Sequence, residues 1–278
     1  MRLHVRAITT RKMNKPNGII TFTSDFSTSD GFVGAVKGKI LSHFPGAKIV
    51  DISHDIPPGD IAAAAWCLMA STGFFPAGTV HLAVIDPGVG SSRLPVIIEG
   101  AGGHFFVGPD NGIFHLALRQ AGTAGAWTID GEAVTAGEPP SSTFHGRDIF
   151  APAAAMVAAG RAVKRFAGKM DTKDLCVPDI DFSCVAEGKN IFARVVHSDR
   201  FGNIITSIPD EYLARIGGGR MKKRTVGKPV ECYERIARGK LNFIGGSCGL
   251  VEISAGGASA ARLARACIGD RVTAVLTK

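Results

Sequence analysis

The chain has 278 residues, 45% apolar and 20% charged, which suits one large or two moderate globular domains and excludes a disordered or fibrous chain. No apolar run reaches the length of about 18 residues that a membrane span needs, so no membrane partner is expected. The formal charge is +8, but Arg2, Arg6, Arg11, Lys12 and Lys15 carry five of those charges and leave only +3 beyond them. With 7% aromatic residues and no stacking pattern, that balance argues against a nucleic-acid partner.

Residues 1–17 form a basic extension without the apolar stretch of a secretory leader, so they read as disordered, with Met13 a candidate start and the cytoplasm the expected location. Gly18–Thr23 reads as the first core strand and ends in Ser24-Asp25-Phe26. A helix is predicted over Phe32–Phe44, with Val33, Val36, Ile40 and Leu41 on one face. A strand over Lys48–Ile52 leads to Ser53-His54, and Asp60 is placed to cap an alanine-rich helix over Ile61–Ser71. The run Val80–Ile85 then reads as a buried strand. It breaks into Asp86-Pro87-Gly88-Val89-Gly90 and Ser91-Ser92-Arg93 before a further strand over Leu94–Ile98. Two readings of that break stay open: a shaped ligand loop at a strand end, or a tight hairpin with a surface Asp and Arg.

A short strand over His104–Gly108, the Pro109–Gly112 turn and a helix over Ile113–Gln120 follow. Residues 121–142 read as polar surface. Ser142–Phe150 opens a helix over Ala151–Ala159, with His145 beside Gly146, a glycine that would let a ligand approach. Alternating strands and helices argue for an α/β domain over 18–163 built on a mostly parallel sheet. Residues 164–189 read as a linker. Short strands between Gly and Pro turns make 190–278 a smaller β-barrel-like domain, with a helix near Ala258–Arg265. Gly217-Gly218-Gly219 and the basic cluster after it read as an exposed loop.

The chain lacks a phosphate-binding loop, a dinucleotide-binding glycine fingerprint, a nucleophile elbow and an H-E-x-x-H pair. Its six cysteines form no C-x-x-C pair, so no metal site is expected. From the residues alone, Asp86, Arg93 and His145 stand as candidate chemistry with no substrate named.

The motifs TFTSDF, IVDISHDIPP, VIDPGVGSSR, VGPDNGIF, STFHGRDIFAPAAA, DRFGNIITSI and GGSCGLVEIS, in this order over about residues 18–278, resemble the S-adenosyl-L-methionine (SAM) hydroxide adenosyltransferases, or SAM hydrolases. These are relatives of the SAM-dependent fluorinase and chlorinase. The resemblance implies hydrolysis of SAM to adenosine and L-methionine by attack of water or hydroxide at C5′, with SAM the substrate and no metal or cofactor. It implies a homotrimer with active sites at subunit interfaces, and a catalytic set at Asp86, Arg93 and His145. It further implies that Asp25 holds the ribose hydroxyls, with Phe144 and Gly146 beside the sugar. Asp199 would meet the methionine ammonium, Asn203 the adenine edge and Ser247 the carboxylate. Ser27 and Gly59 depart from the family pattern, which often has glycine and an aromatic residue there, and Cys248 stands where the fluorinase has arginine. The alternatives are a chlorinase-like halogenase, which in this superfamily replaces the aspartate with tyrosine and lacks the histidine, and a non-catalytic SAM-binding protein.

Overall fold

A computed structural model describes residues 15–178 and 182–277, which divide after Pro178 into two units. The first contains, in chain order, β1 (Ile19–Ser24), α1 (Phe32–His43), β2 (Lys48–Ser53), α2 (Ile61–Thr72), β3 (Val80–Val84), β4 (Pro95–Gly100) and β5 (Phe105–Pro109). There follow α3 (His115–Ala121), β6 (Thr123–Ile129), α4 (Gly131–Val134), a π-helical turn (Gly146–Phe150) running into α5 (Ala151–Ala158), and β7 (Ala167–Met170). The strands form one sheet in the order β2-β1-β3-β5-β4-β6-β7. β4 and β7 run against the other five.

The helices follow from their apolar spacing. Val33, Val36 and Ile40 of α1 recur at near-helical intervals and are buried. Asp60 accepts a 2.9 Å hydrogen bond from the Ala63 amide, which caps α2 and contributes about 1 kcal/mol. β3 and β5 are buried throughout, as strands covered on both faces must be. The chain leaves β1 for β2 on one side and reaches β3 on the other. The order therefore reverses at β1, and the carboxyl ends of β1 and β3 flank a crevice open to a ligand.

The tight hairpin is overturned, because β5 lies between β3 and β4 and residues 86–94 cross over its end. Thr123–Ile129, read as surface, is a strand paired with β4; its short Ala-Gly-Ala run hides the alternation that marks a strand. Within 164–189, β7 pairs with β6 as an edge strand of the first sheet. Of the extension, residues 1–14 lie outside the described residues. Asn17 is tied down: its side chain donates to the carbonyls of Pro76 and Ala77 at 3.3 and 3.1 Å.

The second unit contains β8 (Val185–Glu187), β9 (Asn190–Ser198), β10 (Ile204–Pro209), β11 (Ile216–Met221), β12 (Arg224–Val230), β13 (Leu241–Gly245), β14 (Leu250–Ala255), α6 (Ala260–Ala264) and β15 (Arg271–Leu276). The order β10-β14-β13-β12-β11-β15-β9 closes on itself through β9–β10 pairing, giving a seven-stranded barrel with β8 outside on β9. Ile191, Ile204, Phe243, Val251 and Val272 fill its core. β11 is the strand hidden in the glycine run. A Cβ on Gly219 would stand 2.9 Å from the Phe243 ring, so glycine there lets the strand lie against the aromatic.

Candidate active site

The centre of the first unit forms where the chain leaves β3. Asn111 donates a 2.8 Å hydrogen bond to the Ile85 carbonyl and so holds the backbone just before Asp86. The loop then folds on itself, with the Val89 amide bonded to the Asp86 carbonyl at 3.1 Å and the Ser91 amide to that of Gly88 at 3.0 Å. This brings Arg93 back over Asp86. Arg93 Nε donates to both carboxylate oxygens at 2.9 and 3.1 Å, and Nη2 donates to Oδ2 as well. The side chains of Asp86 and Arg93 are only 5% and 10% exposed, which rules out the surface pair of the hairpin reading.

His145 completes the group. Its Nδ1 lies 2.9 Å from Arg93 Nη2. Guanidinium nitrogens only donate, so Nδ1 accepts, and the neutral ring carries its proton on Nε2. Burial first, and the Arg93 charge second, hold His145 below its ordinary pKa of 6.5, against the pull of Asp86 and Asp148. Arg93 therefore bridges Asp86 and His145, a different arrangement from a direct Asp–His pair. The Arg93 guanidinium also lies 4.9 Å from the centre of the Phe150 ring. That face-on packing leaves the edge of the fork for polar partners.

The β1 loop borders this group. Asp25 Oδ2 accepts from the Gly59 amide at 2.8 Å, and Gly59 neighbours Pro87, directly after Asp86. Gly59 has φ +73, which favours glycine and explains why no aromatic side chain stands there. Phe144 meets Phe26 edge-on at 5.8 Å and Phe32 at 5.4 Å. A Cβ on Gly146 would stand 3.1 Å from Val84 and 3.5 Å from Phe144, so this glycine closes the packing. The structure thus gathers Asp25, Asp86, Arg93, Phe144, His145 and Gly146 around one strand edge. Ser27, with φ +57, keeps a left-handed backbone that favours the family's glycine. Ser27→Gly is expected to raise stability by about 0.5 kcal/mol, the cost of that conformation less the entropy glycine adds to the unfolded chain. Urea unfolding checks this; a loss of stability would show that the Ser27 hydroxyl contacts outweigh the strain.

In the second unit, Asp199 accepts from the backbone amide of Asn203 at 2.7 Å and from its side-chain nitrogen at 2.8 Å. The Asn203 side-chain oxygen is left for another partner. Ser247 lies on the β13–β14 turn, its hydroxyl 3.7 Å from Cys248 Sγ. Glu252 was not read from the sequence, yet it borders both features. A Cβ on Gly246 would stand 2.6 Å from its Oε1, and burial first, then the Asp199 charge, raise its pKa, while the Tyr233 hydroxyl donates to it at 3.2 Å and pulls the other way. A lone Glu at an inward strand position carries no local signal. Among the described residues no cluster of three or more His, Cys, Asp or Glu side chains forms a metal-ligand set. No described helix is long and apolar enough to cross a membrane.

An α/β unit with a polar centre at the switch point of its sheet, where α/β folds bind small molecules, joined in one chain to a closed β-barrel unit, is the class of protein the fold and site define. Two family models specify it further: the SAM hydroxide adenosyltransferase N-terminal domain matches residues 20–167 and the corresponding C-terminal domain matches 193–273. The chain belongs to the SAM hydroxide adenosyltransferase family, as its motifs indicated. It is 42% identical to an (R)-S-adenosyl-L-methionine hydrolase of Methanocaldococcus jannaschii, over 68% of this chain and 66% of that protein. Over 92% of this chain and 97% of the relative, it is 33% identical to a Salinispora tropica protein of the same name. A fluorinase from Actinoplanes is more distant, at 26% identity over 73% of this chain and 76% of that one. The crystal structure of an uncharacterized conserved protein from Thermotoga maritima superposes with a TM-score of 0.85 at 28% identity, covering 92% of this chain and 99% of that one.

Proposed function

We propose that the protein hydrolyses SAM, and by its relatives' names the (R)-sulfonium epimer, to adenosine and L-methionine. The observation that carries the reading is Arg93 held between Asp86 and His145 at the carboxyl end of β3. Methionine is a neutral leaving group on a sulfonium, so C5′ needs only a well-placed oxygen nucleophile in line with the C–S bond. As that bond breaks, its electron pair stays on sulfur, the water oxygen bonds to C5′, and one water proton is released. A guanidinium beside the water favours its anionic form, because an opposite charge lowers a pKa. Asp86 fixes the guanidinium through both oxygens, and the His145 Nε2–H orients the water. Holding the water and C5′ in near-attack geometry contributes on the order of 7 kcal/mol or more.

Asp25 would grip the ribose hydroxyls, with Phe144 and Gly146 against the sugar, while Asp199, Asn203 and Ser247 would take the ammonium, adenine edge and carboxylate of SAM. We place in the same reading a cytosolic homotrimer in which neighbouring subunits contribute the two sets, with no cofactor.

The test is incubation of the purified protein with each sulfonium epimer, with and without chloride, and chromatography of the products. Adenosine and methionine from the (R) epimer, in either buffer, support hydrolysis. A 5′-halo-adenosine formed only with halide makes the protein a halogenase, and bound but unchanged SAM makes it a binder. The pH profile carries a second expectation. Protonated His145 cannot accept from Arg93, so kcat should be level at neutral pH and fall on acidification through a value below 6.5. A fall centred above 6.5 would refute the bridged arrangement.

A further inference from the structure

Next to the centre lies a chain of polar groups, buried at Ser24 and His54 and reaching the surface at Asp51 and Lys37, that the hydrolytic chemistry does not use. Ser24, fully buried at the end of β1, shares a 2.8 Å hydrogen bond with His54 Nδ1 just past β2. His54 is 6% exposed and meets the Phe22 ring edge-on at 4.7 Å. Its Nε2 lies 3.1 Å from Asp51 Oδ1 without an aligned hydrogen bond, and Asp51 is paired in turn with Lys37 of α1 at 2.6 Å. The composition is that of a Ser–His–Asp triad, yet a fully buried Ser24 hydroxyl cannot reach a substrate. The chain holds something in place instead. The His54 backbone carbonyl accepts from the Ser27 amide at 2.7 Å. His54 thus grips the β1 loop on both sides of Asp25: its ring holds Ser24 directly before the carboxylate, and its carbonyl holds Ser27 two residues after it.

We propose that His54 is a positioning residue that presets the Asp25 loop for the ribose, with Ser24 as its contact and Asp51–Lys37 as its backing. The inference rests on the ribose assignment of Asp25. The loop needs such a clamp because Ser27 adopts a left-handed backbone, and because the β1–β2 register shifts between Phe22 and Thr23, directly before it. Asp25 itself is anchored by one amide, that of Gly59. Releasing the clamp lets the carboxylate swing away from the ribose hydroxyls while leaving Asp86, Arg93 and His145 in place.

The test is a kinetic cycle with SAM. Ser24→Ala and His54→Ala should raise KM about tenfold with kcat within about twofold, the scale of one lost charge-assisted contact. His54→Asn, which keeps a polar atom near the Nδ1 position, should recover most of the loss. In an Asp25→Ala background, His54→Ala should add nothing, because a positioning residue acts through the group it positions. A full KM increase in that background, or an unchanged KM in both single variants, overturns the proposal. A second arm is independent of turnover: exchange of the Ser27 amide, followed by NMR, should quicken in Ser24→Ala. Unchanged exchange also overturns the clamp. If exchange quickens while Asp25→Ala leaves KM unchanged, the clamp stands and the ribose assignment of Asp25 falls.

Discussion

Replacing Arg93 with alanine is expected to lower kcat/KM for SAM by about a thousandfold, the upper end of the range found when one preorganised donor is removed from a reacting centre. The same change should cost about 3–5 kcal/mol of stability, because it strands the Asp86 carboxylate in a site where its side chain is only 5% exposed. The two effects separate with a second variant. Arg93→Lys keeps a positive charge for Asp86 but has one nitrogen where the arginine uses Nε on the carboxylate and Nη2 on both Asp86 and His145. It should regain most of the stability while remaining about a hundredfold slow. Urea unfolding and single-turnover kinetics read the two quantities. A wild-type rate in Arg93→Ala would remove the guanidinium from the chemistry.

The second large effect belongs to a residue that touches no substrate. Gly90 has φ +76, and a Cβ there would stand 2.6 Å from the carbonyl oxygen of Ser142, three residues before His145. Gly90→Ala must therefore part the loop that carries Arg93 from the segment that carries His145. Displacement on the order of 1 Å at such a contact costs about a hundredfold in rate, so kcat should fall by that amount, with about 1–2 kcal/mol lost from the strained backbone. Gly137→Ala is the control. Gly137 has φ +88 but no atom within 4 Å of its missing Cβ. It should lose similar stability and keep the rate. Equal rates in the two variants would show that the closeness of Gly90 to Ser142 has no bearing on the centre.

The outline of the fold was legible wherever a local signal exists. The apolar spacing of α1, the Asp60 cap and the β-branched runs of β1 and β15 name their own elements, because helix and strand periods show within a dozen residues. β6 and β11 escaped because Ala-Gly-Ala and Gly-Gly-Gly carry no period. Their strand character comes from what lies beside them, Trp127 folded over Gly125 and Phe243 over Gly219. At the site, Asp86, Arg93 and His145 could be singled out from strand ends and loop chemistry. His54 could be placed at a converging strand end but its partner Ser24 could not be named, and Glu252 and Asn111 gave no signal, since a lone polar residue has the same appearance whether it faces solvent or a buried partner.

The sequence by itself determined the residue types available for chemistry, the turns that present them, and the order of those strands and helices that carry a local period. Tertiary structure decided which of those residues meet. β5 enters between β3 and β4, turning an apparent hairpin into a crossing loop. Arg93 reaches a histidine 52 positions away, and Ser24 finds a partner 30 positions away. Propensity and periodicity act over a few residues along the chain, whereas strand order and burial are settled by the competition of whole surfaces for the core. The bridging of Asp86 and His145 by one guanidinium follows from that competition.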